Sequence, residues 1–273
     1  MKLSDAMHAL SAAGIEDSRQ EARIIFSHFD ALPMTALIGC DIESTNPLIP
    51  DAVSRRAKRE PLQYIIGEVG FYRECYKVSP ACLIPRSDTE LLVDYAVANI
   101  KPGARFLDIC TGSGCVAIST LKNTKNTRAV AIDLSSAALD IAKENANRMD
   151  VRERVEFLHC DALDESIASA LGAFDAILSN PPYVKEAVYQ ELAPEIFHEP
   201  RMAFVAGADG GDFYRALTPI YKRLLSADGF IAYEIGYDSE PILKEVALEC
   251  NMSLEILRDI SDVARVAVLR HRG

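Results

Sequence analysis

Phe106-Leu107-Asp108-Ile109-Cys110-Thr111-Gly112-Ser113-Gly114 is an apolar run that ends in a turn bearing two glycines. The run reads as a buried strand, and the apolar stretch that resumes near Gly114 reads as a helix. Glycines let the backbone pass close to a ligand, and a helix N-terminus offers free N–H groups to an anion. Outward from this unit the alternation continues to the C-terminus. Strands are expected at 105–109, 128–132, 154–158, 174–179, 229–235, 253–258 and 263–270, and helices at 114–123, 135–148, 164–171, 212–226 and 238–250. That pattern predicts an α/β fold, a seven-stranded, mostly parallel, doubly wound sheet with helices on both faces. The Ser261-Asp262 turn is too short for a crossover, so the last two strands should close the sheet as an antiparallel hairpin.

Residues 1–63 have a different period and read as a small helical domain. Leu3, Met7 and Leu10 share a face that Gly14 ends, and Asp17 or Ser18 caps a helix carrying Ala22, Ile25, Phe26 and Phe29. A short piece around Met34–Ile38 ends at Gly39, and a helix from about Pro50 to Arg59 holds the basic cluster Arg55-Arg56-Ala57-Lys58-Arg59. The cluster is either a solvated helix face or a contact for an acidic or RNA-bearing partner. Residues 64–80 read as a β-hairpin linker, and 81–273 as the α/β domain. Ser87-Asp88-Thr89-Glu90 has the form of a capping box ahead of Leu91, Leu92 and Tyr95.

The chain has 273 residues, of which 49% are hydrophobic, enough for one large domain or two modest ones. The formal net charge is −11, from 29 basic and 40 acidic residues. Such a balance argues against a stable nucleic-acid complex, which takes many Lys and Arg to neutralise phosphates. No apolar run reaches the length of a membrane span, and the N-terminus lacks the form of a signal peptide. Seven cysteines without a Cys-x-x-Cys, and histidines without ligand spacing, argue against disulfides and metal and for a reducing, cytoplasmic setting. Nothing in the chain demands more than a monomer.

Two more stretches carry chemistry. Asp133 ends the next strand, 21 residues after Gly112, where a carboxylate accepts both hydroxyls of a ribose. Asp161 follows the third strand and is placed to meet an adenine. Gly112-Ser113-Gly114-Cys115-Val116-Ala117 satisfies the Gly-x-Gly-x-x-Gly/Ala pattern of nicotinamide enzymes, but no second mononucleotide half follows. S-adenosylmethionine also needs a ribose acid, an anion site and carboxylates near its cationic end, which Asp133, residues 110–114 and Asp108 supply. The choice between the two cofactors turns on Phe174-Asp175-Ala176-Ile177-Leu178-Ser179-Asn180-Pro181-Pro182-Tyr183. Here a buried strand breaks off into two prolines. The Asn180 side-chain oxygen and the Pro181 carbonyl are two acceptors for the two hydrogens of a planar –NH2 group. Pro182 stiffens the loop and Tyr183 walls or stacks on the acceptor. A loop built to hold such a nitrogen favours a methyl donor.

These residues resemble the class I S-adenosylmethionine-dependent methyltransferases, and within them the peptide chain release factor N5-glutamine methyltransferase family. Pro61-Leu62-Gln63-Tyr64-Ile65-Ile66-Gly67 and Leu83-Ile84-Pro85-Arg86-Ser87-Asp88-Thr89-Glu90 are similar to family signatures. So are Glu199-Pro200-Arg201, Gly210-Gly211-Asp212-Phe213-Tyr214-Arg215 and Glu234-Ile235-Gly236. The resemblance implies S-adenosyl-L-methionine as cofactor, bound by Asp108, Cys110, Thr111, Gly112, Ser113, Gly114, Asp133, Asp161, Ala162 and Asn180. It implies Asn180, Pro181, Pro182 and Tyr183 as catalytic and, with Arg86, as substrate-binding residues. The implied substrate is the glutamine of the Gly-Gly-Gln loop of class 1 release factors, docked by the N-terminal helices. A ribosomal-protein glutamine is the alternative, ahead of a nucleic-acid adenine. Cys110 stands where the family usually has its first glycine, Ser87-Asp88 where it has Pro-Glu, and Ala162 where tryptophan is frequent.

Overall fold

The computed structural model describes residues 1–272, which fall into two compact units. The first comprises Met1–Glu68 and Ala193–His198, the second Val69–Leu192 and the chain from Glu199 on.

The first unit is helical: α1 (Leu3–Ala12), α2 (Ser18–Phe29), a 3-10 turn (Met34–Leu37), α3 (Leu48–Ala57) and α4 (Leu62–Ile66). The 3.6-residue period places Leu3, Leu10, Ile25, Phe26, Leu37 and Ile49 in one core. The three arginines of the basic cluster are engaged within this unit, while Lys58 is exposed. Arg56 is buried and ion-paired with Glu21 and, at 2.9 Å, with Glu195. Arg55 pairs with Glu60, and Arg59 with Glu195. A buried guanidinium needs such partners, because an uncompensated charge inside a protein is strongly destabilising. The hairpin expected from residue 64 starts later, since Leu62–Ile66 form a helical turn closed by Gly67 at φ 84°.

The hairpin itself is β1 (Glu68–Phe71) and β2 (Glu74–Lys77), turned by Tyr72 and Arg73 at φ 48° and 68°. Positive φ at both central residues gives the mirror-image turn that matches strand twist. The capping box does not form. Glu90 begins α5 (Glu90–Asn99) without a side-chain cap, and its Oε1 accepts from the Tyr72 amide at 2.8 Å.

The remaining elements alternate: β3 (Arg105–Ile109), α6 (Cys115–Asn123), β4 (Arg128–Asp133), α7 (Ser136–Arg148), β5 (Val155–His159), α8 (Glu165–Ala170) and β6 (Phe174–Ser179). After the short α9 (Glu186–Tyr189) come α10 (Asp212–Tyr221), β7 (Leu225–Glu234), α11 (Glu240–Glu249), β8 (Met252–Arg258) and β9 (Ala264–His271). The seven strands after the hairpin form one sheet of order β5-β4-β3-β6-β7-β9-β8. All neighbours are parallel except β7–β9 and β9–β8, as the short last turn predicts. Side chains alternate between faces: Phe106, Ala129 and Ala131 pack on one side with α5 and α6, while Leu107, Val130 and Ile132 pack on the other with α10 and α11. One helix was overextended. The segment expected to be helical over 212–226 is α-helix to Tyr221 and a 3-10 turn over Lys222–Leu224, and β7 starts at Leu225, four residues early. Leu225 pairs with Phe174, the register then slips, and pairing resumes at Phe230–Ala176. The polar Ser226-Ala227-Asp228-Gly229 bulge hid that strand start.

This order puts the reversal of strand direction in sequence between β3 and β6. The chain winds outward from β3 to β5 and returns to β6 on the other side. Ligands bind at such a switch point, outside the carboxyl ends of the strands. Ile109 lies opposite Ser179 in that pair, so the loops led by Cys110 and Asn180 leave the sheet side by side.

Candidate active site

The loop after β3 is held from beneath. Asp108 points to the α6 face, is 1% exposed, and its Oδ2 accepts from the Thr111 hydroxyl at 2.6 Å and the Ala117 amide at 3.2 Å. It therefore caps the first turn of α6 from outside the helix. Burial outweighs these bonds and lifts its carboxyl to about 7. Gly114 has φ 81°, and a Cβ there would lie 2.8 Å from Ile118 Cδ1 and 3.1 Å from Ala142 Cβ. Only glycine permits that approach of α6 to α7. Cys110 adopts φ 59° despite its side chain, a left-handed conformation that costs an L-residue about 1 kcal/mol.

Asp133, at the end of β4, reaches across to this loop. Its Oδ2 accepts from Gly112 N and its Oδ1 from Ser135 N, both at 2.8 Å. Burial raises its pKa while these amides lower it. Each oxygen keeps lone-pair capacity toward a cavity at the switch point, lined by Cys110, Gly112, Asp133, Asp161, Ala162 and Asn180 among others. Leu134 and Leu163 give it an apolar mouth, and the Tyr221 hydroxyl donates to the Ala162 carbonyl at 3.0 Å to fix that wall. A carboxylate aimed at a diol, with an apolar slot beside it, fits an adenosyl group.

A second, smaller cavity opens on the other side of Asn180, lined by Leu83, Arg86, Asn180, Tyr183, Phe204 and Glu234 among others. Asn180, Leu83 and Ala203 belong to both cavities. Asn180 Nδ2 donates to Thr89 Oγ1 at 3.2 Å, which leaves its Oδ1 for a ligand. Pro181 and Pro182 are buried, and Val184 N bonds Phe204 O at 2.7 Å to pin the far end of the loop. Gly210 is required here, because a Cβ would stand 2.4 Å from the Tyr183 carbonyl. The Tyr183 hydroxyl donates to Glu234 Oε1 at 3.1 Å, and burial holds the phenol well above its ordinary pKa.

The patterns of known proteins match both units. The Methyltransferase small domain matches residues 87–211 and the PrmC N-terminal domain residues 2–67. The release factor glutamine methyltransferase of Moorella thermoacetica is 36% identical over 251 residues, spanning 90% of this chain and 88% of the relative. The chain belongs to the release factor glutamine methyltransferase family. The Geobacter sulfurreducens member is also 36% identical, over 83% of this chain and 80% of its own. Among solved structures, a ribosomal protein L11 methylase from Lactobacillus delbrueckii subsp. bulgaricus superposes with a TM-score of 0.50 at 21% identity. It covers 71% of this chain and 84% of its own, a likeness of fold. The chain is thus an S-adenosylmethionine-dependent methyltransferase.

In this methyltransferase the sequence-derived residues divide. Cys110, Gly112, Asp133, Asp161, Ala162, Asn180 and Pro182 line the first cavity. Arg86 and Tyr183 line the second. Asp108, Thr111, Ser113, Gly114 and Pro181 line neither. Arg86 lines its cavity with its guanidinium already paired to Glu199, whose side chain is 1% exposed and also accepts from Ile84 N at 2.9 Å. Sequence reasoning missed Thr89, Glu199 and Glu234 as parts of the site. Glu234 had a signal: like Asp133, it is an acid ending an apolar strand. Among the described residues no helix is long and apolar enough to cross a membrane, and no cluster suits a metal ion.

Proposed function

We propose that the protein transfers a methyl group from S-adenosylmethionine to the side-chain amide nitrogen (N5) of the glutamine in the Gly-Gly-Gln motif of class 1 peptide chain release factors. The observation that carries this is Asn180, the polar side chain common to both cavities, of which the first is the donor cavity and the second the acceptor cavity in this reading. The cofactor supplies an electrophilic methyl on a sulfonium. Asp133 would hold the ribose hydroxyls, Asp161 and the Ala162 wall would face the adenine, and the backbone of 110–114 would receive the methionine end, with Asp108, Thr111 and Gly114 shaping that loop.

An amide nitrogen is a poor nucleophile because its lone pair is delocalised. Asn180 Oδ1 and the carbonyl of Pro181, between the cavity-lining Asn180 and Pro182, would accept hydrogen bonds from the two N–H groups, hold the lone pair toward the methyl and favour a pyramidal nitrogen. Their dipoles are already in place when positive charge develops there, so no reorganisation is needed, and the surplus N–H proton leaves to water once the methyl has been transferred and the sulfonium has become a neutral thioether. Tyr183 walls the planar amide, and the Arg86–Glu199 pair holds the 83–86 segment at the same cavity. The helical unit docks the release factor, and the enzyme works in the cytoplasm as a monomer.

The test is methyl transfer from labelled S-adenosylmethionine to a release factor, to total ribosomal protein and to DNA. Label on the release factor glutamine is expected. Label confined to ribosomal protein or DNA refutes the reading.

A further inference from the structure

Glu234 is the carboxylate that lines the acceptor cavity, 2% exposed at the end of β7, and binding of the glutamine leaves it without a task. Ser179 lies opposite Tyr233 in the β6–β7 pair, so Glu234 stands beside Asn180. Tyr183 donates to its Oε1 at 3.1 Å, its Oε2 is buried without a hydrogen-bond partner, and the Thr89 hydroxyl stands near enough to favour the ionised form. Thr89, 1% exposed, is in turn the group to which Asn180 donates.

We propose that Glu234 and Thr89 are positioning residues that set which end of the Asn180 amide faces the acceptor. This rests on the reading above, in which Asn180 Oδ1 accepts from the glutamine. The argument is one of donor counting. A hydroxyl has one proton, and an ionised carboxylate only accepts. Ionised Glu234, with Oε2 open, draws the Thr89 hydroxyl to donate a hydrogen bond to it, the Thr89 oxygen is left as an acceptor, and Asn180 presents Nδ2 to it, as the structure has it. Oδ1 then faces the cavity. Protonated Glu234 is itself a donor. Thr89 then accepts from Glu234 and is free to give its own proton to Asn180 Oδ1. The Asn180 amide can now turn its NH2 to the cavity, where it meets the NH2 of the glutamine, donor against donor.

Groups on every surrounding element act on this carboxyl. Asp88, ahead of α5, raises its pKa, and Arg265 on β9, with Thr89 and Tyr183, lowers it. Tyr214 on α10, which donates to the Glu234 carbonyl at 3.0 Å, and Cys115 on α6 sense its charge. Burial dominates and brings the pKa to about 7, so the switch between the two states falls near neutral pH.

Single-turnover methylation of a release factor at saturating cofactor, followed through neutral pH, tests this. The wild-type rate is expected to rise with pH through about 7 to a plateau. Thr89→Val should lower the plateau about 100-fold, as for loss of one transition-state partner, with cofactor affinity and the KM for release factor unchanged. Thr89→Ser, which keeps the hydroxyl, should restore most of the rate. In Glu234→Gln the amide both donates and accepts, so the rate should be low and flat with pH. A wild-type rate in Thr89→Val, or a wild-type pH limb in Glu234→Gln, overturns the proposal. If Thr89→Val does not fold, the serine and glutamine variants decide. Absence of methyl transfer by the wild type defeats the proposed function instead.

Discussion

Replacing Asp108 separates support of the cofactor loop from contact with the cofactor. Its Oδ2 carries two bonds, to the Thr111 hydroxyl and the Ala117 amide, in a site 1% exposed. Asp108→Ala strands both donors, each at about 1–3 kcal/mol. The hydroxyl can rotate to another acceptor and the amide cannot, so we expect a loss of about 3 kcal/mol, a large part of a domain's total stability. Asp108→Asn keeps an acceptor oxygen in place and should lose much less. The same variant tests the charge. The folded pKa of about 7 lies above the ordinary 3.8, so the folded state holds the proton more tightly. Stability from this group is complete below about pH 4 and is lost as pH rises through about 7, on the order of 4 kcal/mol in all. Denaturation of wild type and Asp108→Asn at acid and at alkaline pH should therefore show a smaller alkaline loss in the variant. Calorimetric titration with S-adenosylmethionine completes the test: Asp108→Ala should bind weakly, Asp108→Asn nearly as wild type. If both variants keep wild-type stability and both lose the cofactor, Asp108 touches the cofactor directly and the reasoning fails.

Asn180→Ala should bind cofactor normally while turnover falls at least about 100-fold; equal turnover in a labelled-methyl assay would remove Asn180 from the chemistry. Asp133→Ala should weaken cofactor binding about 100-fold, since charge-assisted hydrogen bonds contribute roughly 1.5–3 kcal/mol each; calorimetry measures this, and unchanged affinity would contradict the ribose role. Glu199→Ala leaves the Ile84 amide without its acceptor and Arg86 without its counter-ion, so urea denaturation should report a loss of about 3 kcal/mol; a neutral result would mean the 83–86 segment is held by other contacts.

The alternation of strands and helices, the antiparallel close and the loops that follow β3 and β6 were legible because each rests on local sequence pattern. Hydrophobic period and turn chemistry are local signals. Helix α10 was misread at its end because the β7 bulge interrupts the local pattern, and only pairing with Phe174 identifies Leu225 as strand. The basic cluster was misread for a related reason. Arg56 meets Glu21 from 35 residues away and Glu195 from 139, and no local rule foretells such partners.

The same division runs through the site. Asn-Pro-Pro-Tyr at a strand end and the acid at 133 suggest the proposed chemistry from the chain alone, since proline, amide and carboxylate carry their donor and acceptor patterns wherever they lie. Which neighbour each one meets is another matter. Asp108 belongs to the loop's foundation because strand alternation turns it to the α6 face. Asn180 is oriented by Thr89, 91 residues earlier, and Tyr183 by Glu234, 51 residues later. Those pairings exist only once parallel strands bring their carboxyl ends to one edge, because hydrogen bonds act over about 3 Å and the chain between the partners encodes no distance.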